Sequence, residues 1–239
     1  MLKTLITIST LATAPLLANA QSDAIQEAII VTGMRISADS ISDNAMPNVT
    51  LRVPADFVLF EASFINTDLE TEARRSDLKK AFQSVLQEDR DRDDIELNIG
   101  DAEESYPIES TTFDEIYSPY GQRSNFDLAM RVNVRKGDNY DNVRARAEAF
   151  IDSVPEFGRV QSYIGDEQYI GLRNPNRYRS DLIAAISKEV DDMGEAFKAS
   201  EITVFGLDKK TVTQPTGALS LDVFIPYDLT IVSKRNYSD

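Results

Sequence analysis

Every second residue from Phe126 to Val134 is apolar, with Phe126, Leu128, Met130, Val132 and Val134 set between Asp127, Ala129, Arg131 and Asn133. Successive side chains of a strand point to opposite faces, so this run requires a sheet with one covered face and one freer face. The cover must come from apolar packing, because the 239 residues contain no cysteine to staple it. With 42% hydrophobic residues the chain has enough apolar surface for that core.

Three segments repeat at the helical period and can supply the cover. Leu78, Ala81, Phe82, Val85 and Leu86 form one stripe, with Arg74, Arg75, Lys79 and Lys80 assigned to its outer side. Asn66, Thr67 or Asp68 is placed to cap that helix, and Glu70 and Glu72 suit its positive end. Between Gly137 and Pro155, Val143, Ala147, Phe150, Ile151 and Val154 form a second stripe. After Asn174-Pro175 a third runs through Tyr178, Leu182, Ile186, Val190, Met193 and Phe197.

The remaining apolar runs alternate at period two. Val49, Leu51 and Val53, then Phe57 to Phe64, predict one long strand bent at Pro54-Ala55-Asp56. Ile95, Leu97 and Ile99 predict a short strand closed by Gly100. Val160 to Ile164 and Tyr169 to Leu172 predict two strands about a Gly165-Asp166 turn. Ile202 to Leu207 and Leu219 to Ile225 predict two antiparallel strands near the end. Helices interspersed with paired strands give an α+β fold: a mostly antiparallel sheet carrying about three amphipathic helices.

The first twenty residues have the grammar of an export signal: Lys3, an apolar stretch from Leu5 to Leu17, and Ala18-Asn19-Ala20 as a small-x-small cleavage site. Spanning a bilayer takes roughly 20 unbroken apolar residues, and this stretch is shorter and interrupted by Pro15. Residues 21–47 read as a Ser-, Asp- and Ala-rich extension, and residues 48–239 as one folded unit. Within the extension, Glu27-Ala28-Ile29-Ile30-Val31-Thr32-Gly33-Met34-Arg35 resembles the TonB box of TonB-dependent outer-membrane receptors. The resemblance implies that Glu27, Ile29, Ile30, Val31, Thr32 and Gly33 engage TonB by adding a strand to a sheet edge. Ile29 to Thr32 reads equally as the first strand of the domain's own sheet. The receptor barrel is excluded by length, since about 22 strands of roughly ten residues do not fit into this chain.

Asn48 to Leu86, with Pro54-Ala55-Asp56, and Pro175 to Tyr227, ending in Pro226-Tyr227, resemble the SIMPL domain of exported bacterial proteins. That resemblance implies a periplasmic α+β domain of a Gram-negative cell, without an established cofactor and with a role in envelope or oxidative-stress physiology. Ala55 interrupts the Pro-Asp pair usual in the family, and the acidic stretch from Asp101 to Glu115 departs from its pattern. The resemblance transfers no functional residue.

Composition narrows the chemistry. Forty Asp plus Glu against 25 Lys plus Arg give a formal charge of −15, which opposes nucleic-acid binding. The absence of Cys and His removes thiol chemistry, the Ser-His-Asp triad and imidazole metal sites. The Asp89-Arg90-Asp91-Arg92-Asp93-Asp94 run misses the calcium loop, because Asp94 stands where Gly is needed and Gly100 where the bidentate Glu belongs. It reads as a solvated helix end, and no metal or cofactor is expected. Glu103, Glu104, Glu109, Asp114 and Glu115 offer an acid–base pair to a hydrolase, the alternative to a non-enzymatic binding or accessory protein. A purely structural assembly factor is the third reading. Tyr106, Tyr117 and Tyr120 in loop context, with Tyr163, Tyr169 and Tyr178, are candidates for a ligand or partner surface.

Overall fold

The alternating run does become a central strand, flanked on both sides. In the computed structural model, which describes residues 49–90, 92–100 and 105–233, the described elements begin with β1 (Leu51–Pro54), β2 (Phe57–Asn66) and α1 (Thr71–Arg90). Then follow β3 (Ile95–Gly100), β4 (Ser105–Pro107), α2 (Phe113–Ile116), β5 (Ser118–Tyr120), β6 (Arg123–Asn133), α3 (Tyr140–Ser153) and β7 (Val160–Gly171). A 3-10 turn (Pro175–Tyr178) leads into α4 (Arg179–Phe197), β8 (Ala199–Phe205), β9 (Val212–Gly217), β10 (Ser220–Phe224) and β11 (Asp228–Ser233). The signal-like residues 1–20, the whole TonB-box-like segment, Asp91, Glu103 and Glu104 lie outside the described residues.

The fold is α+β with antiparallel sheets. The main sheet has the order β4-β3-β6-β2-β7, with β5 also on β6; β1-β10-β9 form a second sheet and β8-β11 a ribbon. The covered face of the main sheet carries Phe60, Ala62 and Phe64 from β2 and Phe126, Leu128, Met130 and Val132 from β6. These pack in one core with Leu78, Phe82 and Val85 of α1 and Val143, Ala147 and Phe150 of α3. Phe64 stacks on Phe126 at 4.6 Å, and Phe82 meets the same ring edge-on at 5.6 Å. Phe113 of α2 closes this aromatic group at 5.7 Å from Phe82. Leu182 and Ile186 of α4, with Leu221, Val223 and Ile225, continue the same core toward the smaller sheet.

Local chemistry sets the element ends. Asn66 Oδ1 accepts from Asp68 N at 2.8 Å, and Asp68 Oδ1 from Glu70 N at 3.0 Å, so the predicted cap residues form the turns that lead into α1. Asn139 caps α3 by accepting from Asn142 N at 2.9 Å.

Several sequence expectations require correction. The predicted bent strand is two strands: β1 pairs with β10 and β2 with β6 and β7, so the chain changes sheets at Pro54-Ala55-Asp56. Ala55 N bonds Leu219 O in one direction and Asp56 N bonds Gly171 O in the other, which explains the kink. The predicted turn at Gly165-Asp166 is a bulge inside one strand, because Ile164 pairs with Ala62 and Gln168 with Phe60, leaving three residues opposite Glu61. The two terminal runs do not pair together, since β8 joins β11 and β10 joins β9 and β1. Phe197 is 59% exposed rather than packed, at the last turn of α4. Arg74, assigned outward, is 4% exposed.

Candidate functional site

Antiparallel partners share a face, so the register maps the side of the main sheet turned away from the described helices. One row reads Glu96, Arg131, Leu59, Tyr169, and the next reads Asn98, Ala129, Glu61 and the β7 bulge. A third holds Asp127, Ser63 and Tyr163. Phe57, Leu59 and Ala129 form a small buried cluster here, with Tyr169 packed against it and no helical residue taking part. Ala129 is the smallest side chain of its row, and a hollow of about 140 Å³ lies there, lined by Leu59, Glu61, Asp127, Ala129, Glu167 and Tyr169 among others.

The rim is acidic. Asp127 Oδ1 accepts from Ser63 Oγ at 2.6 Å and its Oδ2 from Asn125 Nδ2 at 2.8 Å. Glu61 Oε1 lies 3.4 Å from the Ser63 hydroxyl, and Tyr169 OH donates to Glu167 Oε2 at 3.5 Å. Glu61, Asp127 and Glu167 form no ion pair with any described residue. They also do not converge as a metal site: among the described residues no three carboxylates are grouped to hold an ion. Ser63 is 2% exposed, so its hydroxyl is not presented as a nucleophile.

Beside the hollow stands a cationic corner. Arg131 lies 5.2 Å from the Phe57 ring centroid and Arg173 5.9 Å from it. Arg173 donates to Glu96 Oε2 at 3.0 Å and to Asn133 Oδ1 at 2.6 Å, and Arg131 Nη2 to Ser105 Oγ at 2.6 Å. Burial pulls the Arg131 guanidinium below its ordinary value; Glu96 opposes that shift and Arg173 adds to it. Arg177 donates to Asp56 Oδ1 at 2.7 Å and pins the start of α4 to the sheet.

The residues singled out by sequence fare unequally. Of the tyrosines, Tyr169 lines the hollow; Tyr106 and Tyr120 are exposed on short edge strands, and Tyr117 OH donates to Ser124 Oγ at 3.0 Å. Asp114 is engaged by Arg75 at 2.7 Å. In the Asp89–Asp94 run, Asp89 accepts from Leu97 N at 3.2 Å and Asp94 pairs with Arg135 at 2.7 Å. Sequence reasoning missed Glu61, Asp127, Ala129 and Glu167. Their signal was the outward half of the alternation: acids on the free face of three strands, β2, β6 and β7, and a small residue at Ala129 in the middle of the row.

No family model matches the chain, and comparison with curated proteins and with solved structures likewise finds no match.

Proposed function

We propose that the chain is a non-enzymatic binding or accessory protein of the Gram-negative periplasm, with a SIMPL-like body and an N-terminal arm that engages TonB. The observation that carries the binding reading is the hollow over Ala129, where an apolar floor meets carboxylates that have no cationic partner among the described residues. Such a recess suits a small ligand with an apolar body and a cationic or donating head. Export is supported by the first twenty residues, and the arm by the resemblance of Glu27 to Arg35 to the TonB box.

Benzylammonium is a suitable probe, because a cavity of roughly 150 Å³ holds a benzene ring. Titrating it into the chain should move the amide resonances of Leu59, Ala129 and Tyr169 saturably, with a Kd on the order of millimolar. Ala129→Leu, which fills the hollow, and Glu61→Gln, an exposed change, should each weaken it. A titration without saturation, or one unaffected by both substitutions, removes the hollow as a binding site.

A further inference from the structure

A second recess lies where the chain leaves β7 for α4. Arg173, Asn174, Pro175, Asn176, Lys210 and Thr211 line a notch of about 300 Å³. No carboxylate lines it, although acidic residues outnumber basic ones 40 to 25 in the chain. Every polar side chain on its wall is able to donate a hydrogen bond: one guanidinium, one ammonium, two amides and one hydroxyl. Lys209 pairs with Asp228 at 3.6 Å, whereas Lys210 pairs with no described carboxylate. Thr211 is only 7% exposed, and its hydroxyl oxygen, itself closed off from solvent beneath the notch, has no hydrogen-bond partner among the described residues. A buried hydroxyl without a partner is disfavoured unless something at the site bonds it. The walls are fixed from behind. Arg179 donates to Lys209 O at 2.8 Å and also to Leu207 O, and Arg173 is braced by Glu96 and Asn133.

We propose that this notch binds a small oxyanion of the phosphate class, either free or as a phosphomonoester headgroup. Its lining residues come from two separate stretches, 173–176 and 210–211, so donors are available on more than one wall. A tetrahedral anion presents acceptors in several directions and fits that arrangement better than a planar carboxylate. Arg173 shares its charge with Glu96, so Lys210, which pairs with no described carboxylate, supplies the uncompensated positive charge on this wall and favours an anion there. The site is separate from the hollow over Ala129, and its failure would leave the proposed function untouched.

The test is an amide-resonance titration of the full chain with orthophosphate, ionic strength being held constant with sodium chloride. Saturable shifts confined to residues 173–176 and 210–211 are expected, with a Kd on the order of millimolar. Lys210→Gln should weaken binding about fivefold or more, since it removes the unpaired charge. Thr211→Val keeps the shape and removes the hydroxyl; it should weaken binding while leaving the melting temperature unchanged or raised, which a merely structural threonine would not do. Lys80→Gln on α1 should change nothing. Glycerol 3-phosphate and phosphatidylcholine vesicles containing phosphatidic acid serve as further arms. Binding of either that Lys210→Gln reduces supports the site and identifies whether the phosphate is free or lipid-borne. Shifts reproduced by chloride alone, no binding in any arm, or an affinity indifferent to Lys210→Gln would overturn the proposal.

Discussion

Arg74 is buried without a carboxylate partner among the described residues, which for a charged side chain is unusual. Neutral acceptors hold it instead. Nε donates to Ser124 Oγ at 3.1 Å, Nη1 to Asp68 O at 2.6 Å, and Nη2 to Thr71 Oγ1 at 3.0 Å and Gly121 O at 3.4 Å. The guanidinium thus ties the first turn of α1 to the β5–β6 hairpin, and its planar fork is what reaches all of these atoms. Arg74→Lys offers a point charge in place of the fork and leaves buried acceptors unmet. Urea unfolding should register a loss of about 2–4 kcal/mol for Arg74→Lys and Arg74→Met alike. A loss under about 0.5 kcal/mol would mean that the clamp is ornamental. The burial was legible in the spacing, since Arg74 precedes Leu78 by four residues and shares its stripe. Residue type suggested the opposite face, and only the fold supplies the carbonyls that make an inward arginine tolerable.

Elements were legible where the pattern is local and illegible where partners are distant. The stripes of α1 and α3 bury the residues their period names except Leu86 and Val154, which are partly buried, and β6 buries its alternate residues. What periodicity lacks is partner identity: β7 looked like a hairpin because Gly165-Asp166 is a good turn, yet both halves pair with the same strand β2. The hollow was hidden for the same reason, as it exists only once β2, β6 and β7 lie in register. Charge contacts between elements carry a pH dependence. Asp138, before α3, is held below the ordinary carboxylate value, mainly by its hydrogen bond from Arg146, whose Nη2 lies 2.7 Å away. The unfolded chain therefore takes up this proton first as pH falls, so the contribution is present above about pH 4 and lost on further acidification. Asp89, at the end of α1, is shifted upward, chiefly by burial, and carries the opposite sign. Its native form protonates first, which makes acidification favourable at that position. Denaturant midpoints measured between about pH 3 and 7 should therefore fall less steeply on the acid side for Asp138→Asn than for the unaltered chain. Asp89→Asn should steepen the same fall, and parallel profiles for all three proteins would contradict these assignments.

At the scale of the whole molecule, eleven described strands all find their partners among described residues, in three antiparallel sheets over one shared core. No described helix is long and apolar enough to cross a membrane. The class of the fold was readable because periods of two and 3.6 alternate along the chain. The separation of β1 from β2 into two sheets was not, because it depends on Ala55 bonding to the β9–β10 turn and Asp56 to β7. Every described strand is thus paired without Ile29 to Thr32, while β4, β7, β1 and β9 remain edges with one partner each, and this frames the two readings of that run. If that run were an integral strand, removing it would strip a sheet of paired backbone and packed side chains, and the whole domain would weaken. If it is a recognition strand, the folded body keeps its hydrogen bonds without it, and affinity for TonB arises from backbone pairing, with Ile29 and Val31 selecting the partner. Deleting residues 21–36 is accordingly expected to move the melting temperature by less than about 2 °C while abolishing binding to the C-terminal domain of TonB. Binding by the intact chain should be on the order of micromolar or weaker, because a short segment must order itself as it docks. Ile30→Pro should abolish it by removing a ladder donor, whereas Arg35→Ala should matter less. A truncated chain that melts well below the parent, together with no TonB binding by either, would place Ile29 to Thr32 inside the domain and leave the arm without its proposed partner.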